Sequence, residues 1–221
     1  MKVNKLVSNN QPANWFERIT RECAGEYPMD LVDISADELV VDAGCNVGGF
    51  SQAWGFRFHN ILAIDASSYN IEQYQKHHHH STLHKALSGK DGEIVKLKKY
   101  MGDGDDDTNS GNFSITGFVN ETNKHGFRGD EWEEVETISL ESIIEKVGDI
   151  GLLKIDIEGA EFDALIDKDL SRIKYITGEF HNFLGGVNQM KLFTHIEGTH
   201  KQMYSDGNGV DSHFIKLWKR K

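Results

Sequence analysis

Two short stretches carry the side chains best suited to chemistry. Lys154-Ile-Asp156-Ile-Glu158-Gly159 closes one apolar run, and Gly178-Glu179-Phe-His181-Asn182 closes another. Alternation along an extended strand puts Lys154, Asp156 and Glu158 on one side. Ionised groups that end an otherwise apolar strand are costly unless they are used or paired. Asp156, Glu158, Glu179 and His181 are therefore the candidate catalytic set. Carboxylates there could take a proton from a hydroxyl or contact a metal, and His181 has an intrinsic pKa suited to a general base. A plainer reading of the same residues is open. In it Lys154 and Asp156 form a structural ion pair, Glu158 starts the next helix in favour with its dipole, and His181 is a hydrogen-bonded strand end.

A third stretch, Asp42-Ala-Gly44-Cys-Asn46-Val-Gly48-Gly49-Phe50, has the chemistry of a tight turn. Gly44, Gly48 and Gly49 let the backbone turn sharply and approach a ligand, and the free N–H groups of a following helix can receive a carboxylate. The spacing is not G-x-G-x-x-G, which favours a ligand without pyrophosphate. Asp65, about 20 residues further on, stands where an acid can accept hydrogen bonds from two ribose hydroxyls and repel a 2′-phosphate. The alternatives are a purely structural turn and a helix-capping or solvated acid.

The elements that must position these groups follow from apolar patterning. Glu38–Asp42, Ile61–Asp65, Ile150–Asp156 and Ile173–Phe180 read as buried strands. Helices are expected over Phe50–Phe58, from Ser67 to Lys76, and over Leu140–Val147 and Ala160–Asp167, with a further strand over Ser81–Leu87. Strands alternating with helices imply a parallel sheet covered on both faces. Residues 92–139 interrupt the alternation with polar-alternating strands at 93–100, 112–118 and 133–139, an inserted β-rich segment that helps to shape a substrate site. A helix near Val187–Glu197, a Gly- and Asp-rich segment at Tyr204–Val210 and a strand over Ser212–Lys219 predict a closing antiparallel hairpin. Residues 1–36 read as an N-terminal extension with a short helix at Asn14–Ala24, leaving 37–221 as the main domain. The His77–His80 run is expected at a solvated corner, and Asp103–Asp107 in a loop that lacks the terminal Glu of a calcium site.

The chain has 221 residues with 35 acidic against 24 basic, a net charge of -11 that repels polyanions and disfavours a nucleic-acid partner. The lysines at 96, 98 and 99 and at the C-terminus are read as solvated. No apolar run approaches the roughly 20 residues of a membrane span. No signal-peptide pattern opens the sequence, and the two cysteines, Cys23 and Cys45, are expected as free thiols, so a cytoplasmic location is expected. Oligomeric state has no signature.

Taken together, these segments resemble the FkbM-type methyltransferases within the class I enzymes that use S-adenosylmethionine. The resemblance is carried by Val-Val-Asp42-Ala-Gly44-Cys-Asn-Val-Gly48-Gly49-Phe50-Ser51, Ile-Asp65-Ala, His84-Lys-Ala86-Leu87-Ser88, Ser110-Gly-Asn112-Phe-Ser114 and Leu-Leu-Lys154-Ile-Asp156-Ile-Glu158-Gly159-Ala-Glu161, across residues 38–182. It implies that Gly44 to Phe50, including Asn46 and following Asp42, hold the methionine part, Asp65 the ribose, and the Leu87-Ser88 corner the adenine side. The expected fold is α/β: a Rossmann-like, doubly wound, mostly parallel seven-stranded sheet with a C-terminal antiparallel hairpin and the inserted β-rich segment. The expected function is O-methylation of a small molecule or glycan, with S-adenosylmethionine as cofactor. A divalent metal is compatible but not predicted. The alternatives are a catalytically silent nucleoside-binding module and an NAD-dependent oxidoreductase, the latter disfavoured because G-x-G-x-x-G and Tyr-x-x-x-Lys are both absent.

Overall fold

The computed structural model describes residues 15–98, 132–181, 186–206 and 213–221. Its main sheet contains β1 (Val40–Ala43), β2 (Ile61–Asp65), β3 (Ser81–His84), β7 (Ile150–Ile155), β8 (Ile173–His181), β9 (His200–Ser205) and β10 (His213–Arg220). These seven strands lie in the order β3-β2-β1-β7-β8-β10-β9. All neighbours from β3 to β8 pair in parallel, whereas β10 runs antiparallel between β8 and β9. This is the doubly wound, mostly parallel sheet with its closing hairpin that the patterning predicts. From β1 the chain winds outward through β2 and β3, then returns to the other side of β1 as β7. Strand order therefore reverses between β1 and β7, and a crevice opens at their carboxyl ends.

The continuous apolar runs reflect burial on both faces: every residue of β1, β2 and β7 is buried. Alternation divides them. Val41, Ala43, Leu62, Ile64, Leu153 and Ile155 pack with Leu140 and Ile143 of α4 (Leu140–Val147), Ala164 of α5 (Glu161–Leu165) and Ile196 of α6 (Gly186–Thr199). Val40, Ile61, Leu152 and Tyr175 pack on the opposite face with Phe50 of α2 (Gly49–Trp54) and with Tyr27 and Met29, which follow α1 (Trp15–Glu26). Local chemistry sets the helix ends. Ser67 Oγ accepts the Asn70 N–H at the start of α3 (Ser68–His77), and Ser139 Oγ accepts the Ser142 N–H at the start of α4.

The structure revises two expectations. The strand expected over Ser81–Leu87 is two strands. Lys85 gives its N–H to the Asp65 carbonyl at 3.0 Å, and the chain leaves the main sheet there. Residues Ala86–Ser88 form β4, which with β5 (Ile94–Lys98) and β6 (Trp132–Ser139) makes a separate sheet in the order β4-β6-β5. The expected strand 112–118 and the acidic loop 103–107 lie outside the described residues. The histidine corner, in turn, is only partly solvated. The His78 ring lies tilted against Tyr74 with centroids 4.7 Å apart, and its Nε2 lies 3.1 Å from the Gly48 carbonyl. Among the described residues, no helix is long and apolar enough to cross a membrane.

Burial, reinforced by the neighbouring His80, pulls the His78 imidazole down from 6.5 to about 4, against the pull of the Gly48 carbonyl. The unfolded chain then binds more protons than the folded chain below pH 6.5. The stability contributed by neutral His78 is complete above pH 6.5 and is lost as pH falls through about 4. Thermal melts across this window are expected to show a falling midpoint, with a shallower fall in His78→Gln.

Candidate active site

The floor of the crevice is a buried ion pair. Lys154 Nζ, on β7, lies 3.2 Å from Asp42 Oδ1 on β1, donates to the Gly44 carbonyl at 2.8 Å and stands 3.8 Å from Asp156 Oδ2. The Lys154 and Asp42 side chains are 4% and 0% exposed. Burial opposes the Lys154 charge, but Asp42 and Asp156 outweigh it and hold the ammonium above its ordinary pKa. Burial pushes Asp42 up, and Lys154 opposes that shift. The Tyr27 ring centroid lies 5.7 Å from the same ammonium, and the Tyr27 hydroxyl donates to Asp156 Oδ2 at 3.2 Å. Gly44 is irreplaceable at this crossing. Its φ is 74°, and a Cβ would lie 1.6 Å from the Asp156 carbonyl oxygen.

Above this floor is a cleft that opens to solvent at the carboxyl ends of β1, β2 and β7. It is lined by Gly44 and Asn46 of the turn, Asp65 and Asn70 at the β2–α3 corner, Lys85, Ala86 and Leu87 around β4, Leu97 of β5, and Asp156, Ile157 and Glu158 beyond β7. Asp65 Oδ2 accepts the Asn46 N–H at 2.9 Å, while Oδ1 accepts the Ser67 N–H at 2.8 Å and Asn70 Nδ2 at 3.1 Å. Burial lifts the Asp65 pKa, and these three donors oppose the lift. With about four acceptor positions on a carboxylate, Asp65 keeps room for one ligand hydroxyl rather than the two that its position suggests. A polar corner joined to the apolar wall of Ala86, Leu87 and Leu97 fits a nucleoside. Residues Gly44, Asn46, Asp65 and Leu87 would hold S-adenosylmethionine.

At the other end of the cleft the acidic groups converge. β7 ends at Ile155, so a turn rather than strand alternation places Glu158, whose φ is 54° and is followed by Gly159 at 100°. Glu161, 2% exposed, stitches this turn to β8. Its Oε1 accepts the N–H groups of Ile157 and Gly159 at 3.0 and 3.1 Å and faces His181 Nδ1 at 3.2 Å. On the other side of the ring, Nε2 lies 3.4 Å from Glu158 and 3.9 Å from Glu179. Burial would lower the His181 pKa, but Glu161 and then Glu158 raise it to about 10. Burial first, then repulsion from Asp156, lifts Glu158 to about 8 and Glu179 to about 7. His181 is thus held as a cation, which is not the state of a general base near neutral pH. The two glutamates are better matched to that task. One polar atom each from Asp156, Glu179 and His181 lies within 4.8 Å of the others, a spacing that a single hard cation could also share.

All four expected catalytic residues therefore lie together, beside Gly44, Asn46, Asp65 and Leu87. The remaining expected cofactor residues are not on the cleft wall. Asp42 lies beneath it in the ion pair, Phe50 packs in the core, and Ser88 is buried in β4. At Gly48 and Gly49 the missing side chains accommodate packing, since a Cβ would come within 2.5 Å of the His78 ring and 2.3 Å of Ile19 respectively. Sequence reasoning quoted Glu161 only as part of a motif, without a role, and did not single out Tyr27, Leu97 or Asn70. Of these only Glu161 has a local signal, as an acid at the head of a helix.

Replacing Lys154 by Met should destabilise the fold by about 3–5 kcal/mol, because Asp42 would be left buried and uncompensated. Adding Asp42→Asn should recover much of that loss, read as the coupling term of a double-mutant cycle in urea. Asp65→Ala should weaken S-adenosylmethionine binding by on the order of 1.5–3 kcal/mol in calorimetry, the range for hydrogen bonds to a charged group. Unchanged affinity in a folded variant would remove Asp65 from the cofactor site.

Comparison with solved structures finds several likenesses at low identity. An rRNA methylase from Streptococcus thermophilus aligns at TM-score 0.48 and 9% identity over 96% of this chain and 99% of its own. A precorrin-6y C5,15-methyltransferase from Geobacter metallireducens GS-15 aligns at 0.48 and 8%, over 93% and 87%. A TehB-like SAM-dependent methyltransferase from Corynebacterium glutamicum aligns at 0.46 and 12%, over 96% and 90%. Comparison with curated proteins finds no match. Residues 42–205, well over half of the chain, match the family model described as the methyltransferase FkbM domain. That span runs from the acid of the buried ion pair through the cleft and the acidic cluster, and the chain belongs to the FkbM family of S-adenosylmethionine-dependent methyltransferases.

Proposed function

We propose that this enzyme methylates a hydroxyl oxygen of a small molecule or glycan. The observation that carries the reading is the convergence of Asp156, Glu158, Glu179 and His181 at the end of the cofactor cleft. Bound S-adenosylmethionine supplies an electrophilic methyl group on its sulfonium. The residues around it have two tasks: to hold an acceptor oxygen in line with that methyl, and to take the proton that the oxygen loses. Carboxylates accept hydrogen bonds from hydroxyls, so Asp156 and the two glutamates suit an acceptor rich in such groups. The hydroxyl proton passes to a carboxylate oxygen of Glu158 or Glu179, which burial and the nearby Asp156 lift to about 8 and about 7. His181, held as a cation, offsets the negative charge gathered there. The net charge of -11 argues against a polyanionic acceptor. Free Cys23 and Cys45 suit a reducing compartment such as the cytoplasm.

The test is transfer of labelled methyl from S-adenosylmethionine into a panel of sugars and small hydroxylated compounds, followed by single turnovers with the acceptor found. Glu158→Gln, Glu179→Gln, Asp156→Asn and His181→Ala should each leave cofactor affinity nearly intact. The glutamate variants should slow transfer by about 10²–10⁴-fold. In the wild type the rate should rise with pH through about 7–8, as the glutamates deprotonate. Near-wild-type rates in all four variants would show that positioning alone drives transfer. Inhibition by EDTA with rescue by magnesium would assign a cation to the same groups.

A further inference from the structure

Among Asp156, Glu158, Glu179 and Glu161, Glu161 is the most enclosed, and nothing in the proton transfer above uses it. It is 2% exposed, yet it is fully engaged, because every bond it makes goes to a donor that matters to the site. Oε1 takes the Ile157 N–H, Oε1 and Oε2 share the Gly159 N–H at 3.1 Å each, and Oε1 faces His181 Nδ1 at 3.2 Å. Ile157 and Gly159 flank Glu158, whose left-handed φ of 54° is a conformation that a non-glycine residue holds only when its surroundings impose it. A single carboxylate thereby fixes both neighbours of one acidic side chain and one face of the imidazole.

We propose that Glu161 is the positioning residue of the acceptor site, holding the proton on His181 Nδ1 and locking the turn that presents Glu158. With a carboxylate as its partner, Nδ1 must donate. The ring is thereby oriented with Nε2 toward Glu158 and Glu179, at 3.4 and 3.9 Å, while the charge of Asp156 also acts on it. The charge of Glu161 is what fits three donors. All three converge on Oε1, a load that a full carboxylate charge suits better than a neutral amide oxygen, and in Gln the NH₂ group would face the Gly159 N–H that Oε2 now shares. Asp, one methylene shorter, cannot reach both the turn and β8 from the head of α5. The competing account is a turn clamp whose contact with His181 is incidental.

The two accounts separate in the state of the ring. This inference builds on the acceptor site proposed above, but its measurement requires no acceptor and no methyl transfer. Failure of the O-methylation reading would therefore leave the result standing. The full chain is labelled with ¹⁵N-histidine, S-adenosylhomocysteine is added as the probe, and long-range ¹H–¹⁵N correlations are recorded at neutral pH. The His181 signals are identified by their absence in His181→Gln. In the wild type His181 is expected to carry a proton on Nδ1, and Glu161→Gln, melting cooperatively, is expected to lose that correlation or shift it to a ring protonated on Nε2 alone. A turn clamp would lower the melting temperature and leave the ring signals where they were, which would overturn the proposal. Should Glu161→Gln fail to fold, the wild-type ring decides: an Nδ1 proton shifted downfield, as a hydrogen bond to a carboxylate requires, supports the assignment, and an Nδ1 proton without that shift, or no proton there, refutes it.

Discussion

The approach of β1 to β7 around one buried charge pair is the constraint on which the site depends. Lys154 and Asp42 are both withdrawn from water, which is expensive for each ion alone, and their mutual attraction offsets the cost only because the ammonium also binds the Gly44 carbonyl and lies near Asp156 and the Tyr27 ring. That geometry brings the backbone of Gly44 against that of Asp156 so closely that no side chain fits between them. The crevice of a doubly wound sheet opens at this same place. The pair thus ties the strand that begins the Gly-rich turn to the strand that leads into the acidic cluster.

Above the pair, the protein accumulates negative charge where burial makes it costly. Asp156, Glu158, Glu179 and Glu161 lie close together, and among the described residues the compensation comes from His181, Tyr27, Lys154 and backbone N–H groups. The left-handed backbone of Glu158 adds local strain at the same point. Departures from the most stable arrangement are expected where function demands them, and here they cluster at one end of the cleft.

The scaffold is general and its additions are particular. The small sheet β4-β6-β5 contributes Leu97, Ala86 and Leu87 to the cleft wall, and the segment after α1 contributes Tyr27 beneath Asp156. Neither belongs to the alternating core pattern. A fold shared by many chemistries acquires its own site through such excursions, so acceptor choice is sought in them rather than in the central strands.

Much of the architecture was written locally. The runs at β1, β2, β7 and β8 are apolar because both faces are covered, and strand-and-helix alternation leaves few topologies for a parallel sheet, so the mostly parallel seven-stranded sheet and its closing hairpin were legible, while the strand order came only from the structure. The position of Asp65 was legible because a strand end is marked by where apolar residues stop, and the four acidic and imidazole candidates were legible because charge at a strand end is anomalous. What sequence could not decide were matters of distance between segments remote in the chain. The break at Lys85 depends on a carbonyl of β2 and on pairing with a strand some 50 residues later. Gly48 and Gly49 looked like ligand contacts, and only the packing of His78 and Ile19 against them shows what their missing side chains accommodate. His181 has the intrinsic pKa of a base, but the charge it holds is set by Glu161 and Glu158, which reach it from the head of α5 and the turn after β7. Residue type and spacing fix which groups can titrate and which backbone can turn, whereas the neighbours that set a proton's position are chosen only when the sheet closes.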